Sequence, residues 1–382
     1  MNNKLAKITV SAVLAASFLA AAAQADGIKA KDIVKKFEQV EASNNVSQLV
    51  RSNSKQYWGF MKEADLSTLA PYLKFTGVVA GDPHLGNFSV LPVKNEGGST
   101  NMRFINIDFD DAGRGPYVLD FIKYVIAAEA ANEAVKKGAL IEAYLLGLKG
   151  KEIEPPKAVR KLLEMKVSEY YDEVEDYVDK RSKNDEFKMI EGEIAPYKGK
   201  ISRSAIESAF PDMKVLDIAT RPMDRGGSAN NIRIWVLART KKGEKRIMEL
   251  KSHSESAMSS YQEQPDVRTW LQEVRAAFWP GIDPSSYDLV DVKGGGLFWI
   301  REKKKTLLSV DYKSTDEKDV KLTKELSVYV ANTLGLAHGR QAGSEKYTDV
   351  IEQNPEMFKS AIEPFVKEYL ASARRALENS KK

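Results

Sequence analysis

Apolar residues recur at spacings of three and four between residues 26 and 72, at Ile33, Phe37 and Val40 and again at Leu66, Leu69 and Leu73. That period predicts a mostly helical start. Two short apolar runs, 76–80 and 102–107, predict strands, and each delivers the chain into an acidic loop. With Asn95-Glu-Gly-Gly-Ser-Thr100 as the intervening turn, the two strands are expected to form a hairpin-like platform. Residues 116–148 read as helices broken at Lys136-Lys-Gly138, and 157–183 as one long charged helix carrying Leu162, Leu163, Met165, Val167 and Tyr170 or Tyr171. A polar stretch then runs to Ser204 and predicts a loop or hairpin insertion.

After a short helix near 205–210 the pattern changes to strands at 215–219, 232–239, 246–251, 287–292, 297–302 and 307–310. Helical spacing returns over 322–336 and 355–376. The expected class is α+β. Residues 26–204 form a helical part, 205–320 a sheet-rich part, and 321–382 terminal helices that pack back on the helical part. No internal repeat is visible.

The first 25 residues have their own logic. Lys4 and Lys7 precede an uncharged run over 8–23, and Ala23-Gln-Ala25 fits the small-x-small cleavage rule of a secretory signal. The run is shorter than the roughly 20 residues a spanning helix needs, and no later stretch approaches that length. The expected mature chain begins at Asp26 in the periplasm or outside the cell, with no membrane span; a retained anchor is the alternative. The absence of Cys excludes disulfides, thiolate metal sites and a lipid on a cleavage-site Cys. Without Lys4 and Lys7 the 58 basic residues become 56 against 54 acidic, a balance that implies no nucleic-acid or membrane partner. Hydrophobic residues make up 43% of the chain, enough for a globular core. Oligomeric state leaves no trace in the sequence.

The candidate chemistry sits in two loops. Gly81-Asp-Pro-His-Leu-Gly-Asn87 leaves the first predicted strand, and Ile107-Asp-Phe-Asp-Asp-Ala-Gly-Arg-Gly115 leaves the second. A loop that carries Asp82 and Asn87 five residues apart can aim a carboxylate at a substrate hydroxyl and an amide oxygen at a metal. Asp108 supplies the hard oxygen that magnesium prefers, with Asp110 and Asp111 as outer or second-metal ligands. His84, between the key residues, either braces the loop or touches substrate. A two-metal phosphoesterase would need several His ligands, and the chain has only His84, His253 and His338. Each loop taken singly also reads as an ordinary turn.

Gly81-Asp-Pro-His-Leu-Gly-Asn87 resembles the catalytic loop of aminoglycoside phosphotransferases and related protein-kinase-like enzymes, and 108–120 resembles their metal-binding segment. The resemblance implies Asp82 as catalytic base, Asn87 and Asp108 as magnesium ligands, and Asp120 as a structural buttress. In ordinary kinases the nucleotide loop precedes these motifs. Here the candidates follow them: Asp224-Arg-Gly-Gly-Ser-Ala-Asn-Asn231, with Gly226, Gly227 and Ser228 toward phosphates, and Lys251 at the end of the next strand. Backbone amides and one ammonium are what phosphate binding requires.

That inverted order is similar to the bacterial family catalogued as domain of unknown function twenty-two fifty-two, circularly permuted relatives of the kinases. The family resemblance implies a two-lobed protein-kinase-like fold that binds ATP or another nucleotide with magnesium. The sequence departs from the pattern in having Asn230 at the third glycine position and Trp58-Gly-Phe-Met-Lys62 where an upstream Arg-Gly pair is expected. The acidic partner of Lys251 is left among Glu255, Glu263 and Glu273. For Lys251 and for Gly226-Gly227 the plain readings are a solvated edge-strand lysine and an ordinary turn. His338 and Arg340 read as packing residues at a helix end.

The expected function is an exported phosphotransferase that moves a phosphoryl group from a nucleotide to an unidentified hydroxyl. Because the space outside the cytoplasm is poor in ATP, two alternatives stand beside it. One is a non-catalytic protein binding a nucleotide or other small ligand, and the other is transfer of AMP by the same metal site.

Overall fold

The structure is a computed structural model that describes residues 33, 37–223, 231–283, 287–303, 305–311 and 314–381. The apolar run 8–23 and the expected cleavage point lie outside the described residues. Among the described residues no helix is long and apolar enough to cross a membrane.

Helices α1 (Val46–Ser52), α2 (Ser54–Glu63) and α3 (Ala70–Leu73) lead to β1 (Thr76–Val79). Strands β2 (Phe88–Lys94) and β3 (Thr100–Asn106) form a hairpin, and β4 (Gly113–Pro116) pairs antiparallel with β1. The expected platform is thus corrected. The turn at Asn95 is present, but it joins β3 to β2, while β1 finds its partner beyond the acidic loop. The run 88–94 contains Pro92, which masks its strand character, yet as one of only two strands in its sheet it is an edge strand and accommodates a proline.

Helix α4 (Tyr117–Ala131) is buried on nearly all sides, as a helix apolar all round must be. It packs beside α5 (Lys137–Leu148). The expected long helix over 157–183 is two helices, α6 (Lys157–Leu163) and α7 (Val167–Arg181). Lys166 has extended backbone, and the break lets Val159 and Tyr170 both reach the core. A small hairpin of β5 (Ser182–Lys183) and β6 (Glu186–Phe187) follows.

Next come β7 (Ala195–Pro196), α8 (Arg203–Ser208), β8 (Met213–Thr220), β9 (Arg233–Thr240) and β10 (Lys245–Ser252). After α9 (Val267–Phe278) the strands β11 (Tyr287–Val292) and β12 (Gly296–Glu302) complete an antiparallel sheet of order β11-β12-β10-β9-β8-β7. The sheet therefore starts upstream of residue 205, and the expected strand over 307–310 does not form. Helices α10 (Glu317–Gly339), α11 (Ser344–Gln353) and α12 (Pro355–Ser380) end the chain. The protein is α+β.

Strand alternation divides the sheet between two cores. Ile234, Val236, Ala238, Met248, Leu250 and Phe298 face α8 in a small cluster, whereas Trp235, Leu237, Ile247 and Trp299 join the large core. Helix α9 lies in the sheet-rich part of the sequence but packs on β1, β4 and α10, because Trp270, Leu271, Val274 and Phe278 form its buried stripe. Helices α5 and α10 approach so closely that a Cβ at Gly147 would lie 2.2 Å from the Asn332 carbonyl oxygen. That contact ties the C-terminal helices to the helical part of the chain.

Candidate active site

The strand-to-loop transition after β1 is held from several sides. Both oxygens of Asp120, in the first turn of α4, accept backbone N–H groups, Oδ1 from Gly81 at 2.8 Å and Oδ2 from Ala80 at 3.2 Å. The Gly81 carbonyl accepts from Trp58 Nε1 at 2.6 Å and Ser54 Oγ at 3.3 Å. Trp58, which has no place in the sequence pattern, is therefore a loop anchor. Gly81 has φ of +74°, and a Cβ there would lie 1.7 Å from the Asp111 carbonyl oxygen. Only glycine lets the two acidic loops touch.

Behind Asp120 lies a second buried layer. His338 Nε2 is 3.2 Å from Asp120 Oδ2, and its Nδ1 is 2.8 Å from the Tyr144 hydroxyl. Burial pushes the Tyr144 phenol well above its ordinary range, so it remains protonated and donates. Nδ1 accordingly accepts, and Nε2–H donates to Asp120.

Asp82 is buried, with Lys123 Nζ 3.3 Å from Oδ1 and His84 Nε2 3.5 Å from Oδ2. Burial raises its carboxyl pKa, and the charge and hydrogen bonding of Lys123 oppose the rise. Burial, together with Arg51 and Lys123, pushes His84 well below its usual value, so its ring is neutral. Asn87 donates through Nδ2 to the Asp82 carbonyl at 3.0 Å, which leaves its Oδ1 as the atom able to hold a cation. The Asn87 carbonyl accepts from Ile107 N at 2.8 Å and so couples this loop to the end of β3.

In the second loop, burial pushes Asp108 up, but Lys251, Arg301 and Arg233 outweigh it and hold its carboxyl below the ordinary range. Asp110 forms an ion pair with Lys251 and accepts from the Tyr287 hydroxyl at 2.7 Å. Lys251 is thus partnered by Asp110, with Asp108 at 4.0 Å, and not by Glu255, Glu263 or Glu273. Glu273 instead pairs with Arg114. The reason is topological: β10 ends against the acidic loop, a long-range contact that sequence proximity does not reveal. Nor is Lys251 an exposed edge lysine, since β10 lies inside the sheet and burial drives the ammonium down to about 8 against the pull of Asp108.

The sheet adds a charge relay of its own. Glu249 is opposite Arg301 in the β10–β12 register, and its carboxylate is 3.1 Å from Arg233 Nη1 and 3.0 Å from Arg301 Nη2. Although burial raises Glu249, the surrounding cations Arg301, Lys303 and Arg233 win and bring it to about 2.

A cavity of about 390 Å³ joins these groups. Asp82, His84, Asn87, Asp108 and Asp110 line one side, while Lys251 and Arg233 line it from the sheet. Gly226, Gly227 and Ser228 lie outside the described residues; Met223, the last described residue before them, also lines the cavity. A second cavity of about 290 Å³ meets the first at Asn87 and Asp108. Its lining mixes Leu91, Val93, Ile105, Ile107 and Trp279 with Arg301, Glu302 and Lys303.

The oxygen donors of Asn87, Asp108 and Asp110 suit a hard divalent cation. Beside them, burial and the charges of Asp82 and Asp108 push the Asp111 carboxyl up to about 7. Among the described residues, however, no three His, Asp or Glu side chains are grouped as metal ligands, and Lys251 is engaged with Asp110.

Lys123 and Glu249 stand outside the sequence motifs, whereas Arg233 and Arg301 end two of the segments, 226–233 and 298–301, through which the family resemblance runs. A local signal exists for the first two. Lys123 interrupts the apolar run of α4, and Glu249 sits between Met248 and Leu250 in a strand. No protein family, curated protein or solved structure matches the chain.

Proposed function

We propose that the protein is an exported, kinase-like phosphotransferase of two lobes in permuted order, using a nucleotide such as ATP and magnesium to phosphorylate a hydroxyl acceptor. One observation carries the reading: Asp82, Asn87 and Asp108 share a single cavity with Lys251, which comes from a different sheet and 143 residues after Asp108 in the chain. The adjoining cavity, where Leu91, Val93, Ile105, Ile107 and Trp279 form an apolar stretch among charged groups, offers room for a base beside the polyphosphate.

In this mechanism Asp82 orients the acceptor hydroxyl and takes its proton, a role suited to a carboxylate whose pKa burial has raised. The acceptor oxygen forms a bond to the terminal phosphorus as the bond to the bridging oxygen breaks. The nucleotide leaves one phosphate shorter. Asn87 and Asp108 are the residues that would hold magnesium, which supplies neutralisation of phosphate charge. Lys251, released from Asp110, grips the phosphates. Gly226, Gly227 and Ser228 are proposed to contact them through backbone amides.

A second reading, a nucleotide-binding protein without catalysis, is favoured by the Lys123 contact, which already neutralises Asp82. Magnesium and a nucleotide at about a hundred times its dissociation constant should stabilise the protein by about 2.7 kcal/mol. No stabilisation by any nucleotide excludes both readings. Given stabilisation, release of a nucleoside diphosphate that Asp82→Ala abolishes supports phosphoryl transfer. Release of pyrophosphate identifies AMP transfer, and binding without turnover identifies the second reading.

A further inference from the structure

The register of β9 and β10 sets Arg233 directly opposite Lys251. Like charges facing each other across a sheet repel, and a protein that keeps such a pair inside a cavity normally has a use for it. Here both cations are withdrawn from water, with 7% and 1% of their surfaces exposed. Both line the cavity that holds Asp82 and Asp108.

Their partners are unequal. Lys251 is engaged by Asp110. Arg233 directs Nη1 at both oxygens of Glu249, at 3.1 and 3.2 Å, while its buried Nε has no hydrogen-bond acceptor among the described residues. A buried guanidinium N–H without an acceptor is destabilising. Glu249 is itself doubly held by Arg233 and Arg301, so it fixes the orientation of the Arg233 side chain without using that N–H. Of the cavity's cations, Arg233 has a rigid fork pre-aimed by a buried carboxylate, the geometry suited to a phosphate oxygen.

We infer that Arg233 and Lys251 form a cross-strand anion site for the phosphate chain of the donor, with Arg233 donating through Nε. The inference rests on the nucleotide reading of this cavity and adds to it a second, strand-borne cation. The site needs no residue of the glycine-rich segment. It also gives the Arg233–Glu249–Arg301 relay a task, which is to hold a guanidinium still.

Tripolyphosphate with magnesium, which carries no base or sugar, isolates this contact. Calorimetry should show that the protein binds it and that Arg233→Met and Arg233→Gln each bind about tenfold or more weakly, the loss of one charge-assisted hydrogen bond. Adenosine affinity should stay unchanged, and Glu249 keeps Arg301 as a partner in both variants. In the unaltered protein the Arg233 Nε–H resonance should move on tripolyphosphate addition, a readout independent of whether either variant folds.

An unmoved resonance with bound tripolyphosphate, equal affinity in a folded variant, or no binding by the unaltered protein overturns the site. Tripolyphosphate binding that depends on Arg233 without any nucleotide turnover upholds the site and sinks the phosphotransferase reading. Turnover that Asp82→Ala abolishes and Arg233→Met leaves intact, with nucleotide affinity unchanged, does the opposite.

Discussion

Lys123 Nζ lies 3.3 Å from Asp82 Oδ1 and donates to the Val50 carbonyl at 2.9 Å, with none of its side chain exposed. Removing one member of a buried ion pair leaves the other charge uncompensated, at a cost of about 3–5 kcal/mol. Lys123→Met should lower the unfolding free energy by that amount at pH 7. The loss should shrink near pH 4, because Asp82, already raised by burial, takes up a proton once its counter-charge is gone. Denaturant unfolding at the two pH values measures both effects, and an equal loss at each would show that Lys123 acts through packing alone.

Asp111 gives a pH test of opposite form. Its folded pKa of about 7 lies above the ordinary value near 3.9, so the folded state holds the proton more tightly than the unfolded one. Its contribution to stability is therefore complete below about pH 4 and is lost as pH rises through 7. Asp111→Asn retains an oxygen for the Ala257 N–H, 3.1 Å away, and removes the charge. Its melting temperature should exceed that of the unaltered protein at pH 8 and match it at pH 4. A difference independent of pH contradicts the assignment.

At Gly81 the backbone itself is at stake. Gly81→Ala adds a left-handed conformation costing roughly 1–2 kcal/mol to a clash with the Asp111 carbonyl of typically 1–3 kcal/mol. Together a loss of about 2–5 kcal/mol is expected in chemical denaturation, along with loss of any metal-dependent ligand binding as the two acidic loops separate. A variant as stable as the parent would mean the loops are not locked together.

His338 tests the layer behind the loop. His338→Phe leaves Asp120 Oδ2 without one of its donors and the Tyr144 hydroxyl without its acceptor, each costing about 1–3 kcal/mol when buried. The variant should unfold at lower denaturant with an unchanged slope. Hydrogen exchange at the Ala80 and Gly81 amides, which Asp120 holds, should quicken selectively. Exchange that rises evenly over the molecule would mark His338 as a packing residue only.

Much of this architecture is legible in the amino-acid sequence. The apolar periods locate β8 to β12, α10 and α12 within a few residues, because strands packed on both faces and long amphipathic helices advertise themselves locally. The two acidic loops are equally plain, since glycine and paired carboxylates at short spacing are sequence-local features. Helix α9 is harder to see although its stripe is regular, as the strand character of its neighbours dominates 205–320. Partners are hidden wherever pairing skips an element, as with β1 and β4.

Asp82, Asn87 and Asp108 are marked by residue type and local spacing, while Lys251 and Asp120 enter through the resemblance to kinase-like enzymes. What each of them meets is a property of the folded chain. Asp82 faces Lys123, Lys251 faces Asp110, and Arg233 stands opposite Lys251 with Glu249 holding its guanidinium. These are contacts between residues about forty to nearly one hundred and fifty positions apart, or across strands whose register is set by packing of the sheet faces. Electrostatic partnership depends on distance and on exclusion of water, and neither quantity exists until the chain has folded.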